Sequence, residues 1–334
     1  MAGARRFGQP AAARRESVRA TILLSFGLVA NLTTQMTFAA TLPEIAADWA
    51  LDASQSGWIG GIFFAGYAAA VPFLASATDR IDGRWVYIGS ALLGAAASFA
   101  FAAFAHGFVV ALALRFLGGI GLAGVHMPGL NLLMDRVDRS HQGRSAGIYT
   151  SSYAAGSAGS FVIAGLVDAA LGWRAAFAVA GVGPLLSICA VALLPASSVD
   201  RRADHRRPPY RALLRNRALI AYVAAFAGNT WEVFAVRVWF VAYLAWLLSL
   251  PGNNIRLPAL GVLSGVASLA GVPVSMLMAE VAARHGRRPG RYRDLYGIGR
   301  DVRGFWPRRP ADRSGRFYRY WFWCRSPALP MSAR

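Results

Sequence analysis

The chain has no lysine: all 35 of its Lys+Arg positions are arginine. That excludes a P-loop, whose lysine must reach the nucleotide phosphates, and any Schiff-base chemistry on a lysine amine. Cysteine is nearly missing as well. Cys189 and Cys324 are too few and too far apart to form a disulfide framework. Charge is scarce, at 15% of residues, where an ordinary soluble domain carries about 25%. No His/Cys/carboxylate group has metal-ligand spacing and no nucleophile–base arrangement stands out, so the sequence offers no metal site, no cofactor and no catalytic centre. It does not read as an enzyme.

What is present is apolar length. Hydrophobic residues make up 56% of the 334, gathered into runs long enough to cross a bilayer, which takes about 20 residues at a helical rise of about 1.5 Å. Eight such runs fall near 20–42, 57–77, 85–105, 108–133, 145–167, 174–195, 218–248 and 259–282. The expected fold is all-α, a polytopic membrane helix bundle. Its six-helix N-terminal half (20–195) follows a basic segment (1–19). A linker (196–217) leads to a partial C-terminal half of two helices (218–283) and an Arg-rich tail (284–334).

The net charge of +19 invites a nucleic-acid reading, but its distribution argues against one. The tail alone holds 14 Arg against 3 Asp, and the rest sits largely in short connections between spans. With the N-terminus inside, the inner segments carry Arg5, Arg6, Arg14, Arg15, Arg19, Arg80, Arg84, Arg136, Arg139 and Arg144, and the linker adds seven more. The outer segments carry Arg174 and Arg256 alone. The positive-inside rule then predicts a cytoplasmic N-terminus in an inner (plasma) membrane, uncleaved because no convincing processing site follows it.

A repeat marks two inner loops. "ASATDRIDGRWVY" (75–87) follows the second span and "AEVAARHGRRPG" (279–290) follows the eighth. Both resemble the loop signature G-x-x-x-D-R-x-G-R-R of the major facilitator superfamily. Asp79, Arg80, Gly83 and Arg84 match in the first copy, with Ala75 in place of the leading Gly and Asp82 as an extra residue. Arg284, Gly286, Arg287 and Arg288 match in the second, where Ala279 and Ala283 replace the Gly and Asp. "TLPEIAADWALDASQSGW", "RFLGGIGLAG" and "LGWRAAF" extend the likeness over about 20–288. The resemblance implies a secondary transporter with a cytoplasmic gate at the two loop motifs.

Polar residues inside spans mark the pathway, because charge in hydrocarbon is costly. Arg115 lies about 7 residues from the outer end of span four, or about 10 Å deep. The resemblance gives such an Arg a part in proton coupling; bonding to backbone carbonyls for structure alone is the alternative. Span seven, "GNTWEVFAVRVWF", holds Asn229, Glu232 and Arg237. Glu232 and Arg237 are five apart, about 140° round the axis, so they face different partners. A low-dielectric cavity would suit Glu232 to bind and release a proton, while pairing with Arg115 or Arg237 would make it structural. Asn31, Thr34 and Gln35 in span one can bind a solute or join helices. His126 and Asn131 read as packing residues.

Gly119, Gly121 and Gly124 fit G-x-G-x-x-G, but no strand precedes them, so they read as helix-packing positions, like Gly57/Gly61 and Gly261/Gly265. The reading that follows is uptake of a small anionic or carboxylated solute with protons, a symport by alternating access. The small-molecule substrate, protons and the bilayer are its partners. Efflux of amphipathic compounds, or a truncated membrane protein that does not transport, are the alternatives. After Arg288 no apolar run of span length recurs, and a change of reading frame near that codon is expected; a polybasic tail on anionic lipid is the rival reading. Translating the other two frames downstream of that codon should reveal further spans of about 20 apolar residues. If neither frame holds any, the frame-change reading fails.

Overall fold

The computed structural model describes residues 9–78, 80–138, 141–195, 216–250 and 260–269, and every regular element among them is helical. In chain order these are α1 (Gln9–Asn31), a 3-10 turn (Leu32–Thr34), α2 (Thr37–Asp48), α3 (Ala53–Ala77), α4 (Gly83–Phe104), α5 (Phe108–Met134), α6 (Gln142–Ala192) and α7 (Arg217–Leu248). A short helix, α8 (Leu260–Leu269), follows. Among the described residues six segments are long and apolar enough to cross a membrane, one of them, Gln142–Ala192, holding two of the expected spans. The chain is a multi-pass membrane protein.

One expected span takes an unexpected form. Span one is interrupted, since α1 stops at Asn31 and the 3-10 turn carries the chain into α2. Spans five and six, both within α6, are separate helices that meet at Gly172, whose φ of 81° is a conformation open to glycine. The eighth span is described only over α8.

Two helix starts are fixed locally. The Asp52 carboxylate accepts from the Gln55 N–H at 2.8 Å and the Gln55 side chain accepts from the Asp52 N–H at 3.1 Å, a reciprocal cap on α3. Asp82 accepts from the Arg84 N–H and from its Nε, each at 3.0 Å, at the start of α4. The residue that is extra to the loop signature is thus an N-cap, a role usually worth about 1 kcal/mol.

Packing depends on small residues. Helix α5 lies against α3 and α4, while α6 lies against α1 and α4. A Cβ on Gly119 would strike the Phe63 carbonyl, one on Gly124 would strike the Ser90 hydroxyl, and one on Gly121 would sit 2.7 Å from the Gly94 nitrogen. Gly261 and Gly265 do the same for α8 on α6, where added carbons would lie 2.7 Å from Gly165 Cα and 2.9 Å from the Ala158 carbonyl. The Gly57/Gly61 pair does not behave this way. Gly61 has nothing within 4 Å, whereas Gly57 and Gly60 face Trp239 and Val238 of α7. The seventh span, which packs mainly against α2, meets α3 at Gly57 and Gly60 and not at Gly61.

Aromatic packing closes the end of the bundle away from the N-terminus. Phe101 and Phe177 stack at 4.0 Å, Trp49 meets Trp173 edge-on at 5.4 Å, and the Trp173 Nε1–H donates to Asp48 at 2.8 Å. Gly119→Val should overpack the α3/α5 contact and cost about 1–3 kcal/mol, whereas Gly61→Val should be neutral. Thermal midpoints of the two variants in detergent test this; equal midpoints would contradict the packing described.

Candidate functional site

A helix that stops inside hydrocarbon leaves backbone groups with no water to satisfy them. The break in span one meets that requirement with side chains from two other helices and with its own threonines. Ser160 on α6 donates to the Thr33 carbonyl at 2.6 Å and accepts from the Met36 N–H at 3.1 Å. Thr33 itself donates to the Ala30 and Ala180 carbonyls, each at 2.8 Å, and Thr37 donates to the Thr33 carbonyl at 2.7 Å. Arg115 on α5 supplies the rest, with Nη1 on the Thr34 carbonyl at 3.3 Å and Nη2 on the Gln35 carbonyl at 3.4 Å. Its guanidinium lies over the Phe63 ring at 4.3 Å and the Phe38 ring at 5.5 Å, and the residue is only 5% exposed. A guanidinium suits this place because its planar fork spans adjacent carbonyls and its faces stack on aromatics.

At the same break one amide reaches α6 and another is buried. Gln35 donates from Nε2 to the Tyr153 hydroxyl at 2.5 Å, while its Oε1 is buried without a partner. The Asn31 Nδ2 is likewise buried and unpartnered. One turn beyond Tyr153, Ser157 accepts from Arg237 Nη1 at 3.1 Å. Gln35 and Arg237, far apart in sequence, thus meet along one face of α6. Behind Tyr153 lies His126, with ring centres 4.7 Å apart. The His126 Nδ1 is 3.0 Å from the Tyr67 hydroxyl, and its carbonyl accepts from Tyr149 at 2.9 Å.

The other predicted residues fall elsewhere. Glu232 is on an exposed face of α7, not in the low-dielectric cavity expected of it. The reason is that α7 packs through Phe234, Val238 and Val241, which lie on another side of the helix. The Asn229 side chain lies outside the described ones. Asn131 is exposed. His126 is a bonded member of the aromatic group, as a packing residue should be. At the loop motif, Gly83 is buried, Arg80 is exposed, and Arg84 donates from Nη1 to the Leu194 carbonyl at 3.1 Å, tying this loop to the end of span six. Asp79, Arg284, Gly286, Arg287 and Arg288, with the tail and most of the linker, lie outside the described residues.

Sequence reasoning passed over Tyr153, Ser157 and Ser160. A signal was there: in "YTSSYAAGSAGS" (149–160), Tyr149, Tyr153 and Ser157 recur every fourth residue, one face of a helix.

A sequence model described as the Major Facilitator Superfamily matches residues 24–298. The chain is similar to the niacin transporter NiaP of Acinetobacter baylyi, 28% identical over 156 residues that cover 47% of this chain and 35% of that protein. It is also 28% identical over 263 residues to a probable 4-methylmuconolactone transporter of Cupriavidus pinatubonensis, covering 75% of this chain and 60% of that one. The chain therefore spans between about a third and three fifths of the length of these curated relatives. Among solved structures, a mutant of the nucleoside transporter NupG superposes with a TM-score of 0.57 at 14% identity, over 80% of this chain and 69% of that one. A bacterial homolog of the human lysosomal transporter Spinster, inward-facing and unoccupied, gives 0.57 at 15% identity, over 84% and 64%. At such identities these likenesses show the fold.

The geometry around the break makes a further expectation. Arg115→Met keeps the length of the side chain but removes the donors to two carbonyls, each costing about 1–3 kcal/mol when left unmet. Its thermal midpoint in detergent should fall well below that of the unchanged chain, with Arg115→Lys between them. An unaltered midpoint for Arg115→Met would show that the break does not depend on this residue.

Proposed function

The chain belongs to the major facilitator superfamily, and on that premise we propose that it serves secondary transport of a small anionic or carboxylated solute, taken up with protons by alternating access. The observation that carries the proposal is the meeting of Arg237 and Ser157 with Gln35 and Tyr153 on one face of α6. A cation, two hydroxyls and the Gln35 amide, whose Oε1 has no partner, form a site that an anion with both donor and acceptor groups would complete. Two relatives named for small solutes, niacin and 4-methylmuconolactone, support the size of the solute. This reading makes the protein a transporter and not an enzyme.

In this proposal Arg237 reads the negative group, since a guanidinium held by Ser157 is positioned before the solute arrives. Gln35 and Asn31 bind its polar rim. Arg115 acts on the pathway through the break in span one, whose carbonyls it holds. Glu232 is proposed as the proton carrier on the sequence reading alone, since the structure puts it on the exposed face of α7. The loop motif around Asp79, Arg80 and Arg84 forms the gate on the Arg-rich face, which the charge distribution assigns to the cytoplasm of a cell with this protein in its inner membrane.

The test is uptake of labelled nicotinate and of other small carboxylates into proteoliposomes holding this chain, with and without a pH gradient. Arg237→Gln should raise the half-saturating concentration about tenfold or more, the scale of a lost charge-assisted bond. Glu232→Gln should abolish accumulation driven by the pH gradient while leaving solute exchange. Retained pH-driven accumulation in Glu232→Gln would remove that residue from the proton path, and an unchanged half-saturation in Arg237→Gln would remove the anion site.

A further inference from the structure

The Arg-rich end of the bundle carries a second polar feature, away from the solute pathway. Arg15, Glu16 and Arg19 in α1 meet Arg136, just past the end of α5, and Leu193–Pro195, just past the end of α6, around an open cleft of about 450 Å³. The arginines are placed by main-chain bonds. Arg136 donates from Nη1 to the Leu132 carbonyl and from Nη2 to the Pro195 carbonyl, both at 2.9 Å. Arg19 donates from Nη2 to the Leu193 carbonyl at 3.2 Å. Carbonyl oxygens carry no formal charge, so the Leu193 bond orients the Arg19 guanidinium without neutralising it. Arg15 and Arg19 against the one carboxylate of Glu16 leave this side of the cleft positive.

A second observation says where its ligand comes from. Below Arg15 and Arg19, the side chains of Val18, Ile22 and Phe26 recur every fourth residue along α1 and are 52%, 62% and 52% exposed. Leu193 beside them is 58% exposed. An apolar stripe on a spanning helix running up to a ring of arginines has the form of an acyl chain ending at its headgroup. Guanidinium forks match phosphate oxygens in shape as well as in charge. We propose that this cleft binds the phosphate of an anionic membrane lipid, with Arg15 and Arg19 on the phosphate and Val18, Ile22 and Phe26 along an acyl chain. The ligand would join α1 to the ends of α5 and α6, fixing span one from below its break. The proposal is independent of the solute reading.

The experiment is binding of dioleoylphosphatidylglycerol to the full chain in neutral detergent micelles, read by native mass spectrometry and by the shift in thermal midpoint. Dioleoylphosphatidylcholine and inorganic phosphate are the comparison probes. Phosphatidylglycerol should bind and stabilise, and phosphatidylcholine should not. Arg15→Gln and Arg19→Gln should each weaken binding about fivefold, at about 1 kcal/mol per arginine near a lipid surface, and Glu16→Gln should strengthen it. Arg15 is exposed, so its variant keeps the test usable if Arg19→Gln does not fold; helicity by circular dichroism reports which has happened. Equal binding of phosphatidylcholine, or full affinity in Arg15→Gln, would overturn the site. Displacement of phosphatidylglycerol by millimolar inorganic phosphate would overturn the lipid as its occupant and assign the same arginines to a soluble phosphate.

Discussion

Hydrocarbon offers no hydrogen bonds, so a helix can break within the membrane only where protein replaces the missing partners. The rest of this structure follows from that constraint acting on span one. Ser160 and Arg115 come from different helices and both close on the few peptide groups between Thr33 and Met36, while Thr33 itself ties the break to the Ala180 carbonyl. Because the chain is turned there, Gln35 directs its amide towards Tyr153 of α6. The candidate site is a consequence of the break, and the break is possible because its carbonyls are met.

That arrangement also requires helices to approach closely. Gly119, Gly121 and Gly124 let α5 settle against α3 and α4, which carries Arg115 to the carbonyls of Thr34 and Gln35. Without a hydrophobic force between helices in lipid, van der Waals contact and a few polar bonds supply the association. Small residues therefore have a part in placing polar ones, and a methyl group at Gly119 would be felt at the break several residues away. At the Arg-rich end, Arg19, Arg84 and Arg136 likewise satisfy carbonyls near the ends of α5 and α6.

Much of the fold was legible in the sequence. Runs of apolar residues predict spanning helices because the bilayer thickness sets their length, and the loop motifs with "RFLGGIGLAG" point to the family that the comparisons show. The packing roles of Gly119, Gly121, Gly124, Gly261 and Gly265 were legible too, since close approach needs small residues at fixed spacing. Gly57/Gly61 misled, because spacing marks where two helices can meet but not which helix arrives or at what register. Arg115 was singled out as a buried cation, yet its carbonyl partners could not be read, as backbone acceptors have no sequence signature. Glu232 was placed in a cavity on composition alone, and the face it occupies depends on which side of α7 meets α3.

The sequence by itself determined that this chain crosses a membrane many times, which spans these are, and which polar residues are costly enough to need a reason. Those properties are local or additive, set by hydropathy, helix rise and the price of charge in lipid. Only the tertiary structure decided that span one breaks, and that Gln35 and Arg237 meet across Tyr153 and Ser157. Each of those depends on groups more than a hundred residues apart, or on a register between helices, satisfying one another in the same few ångströms.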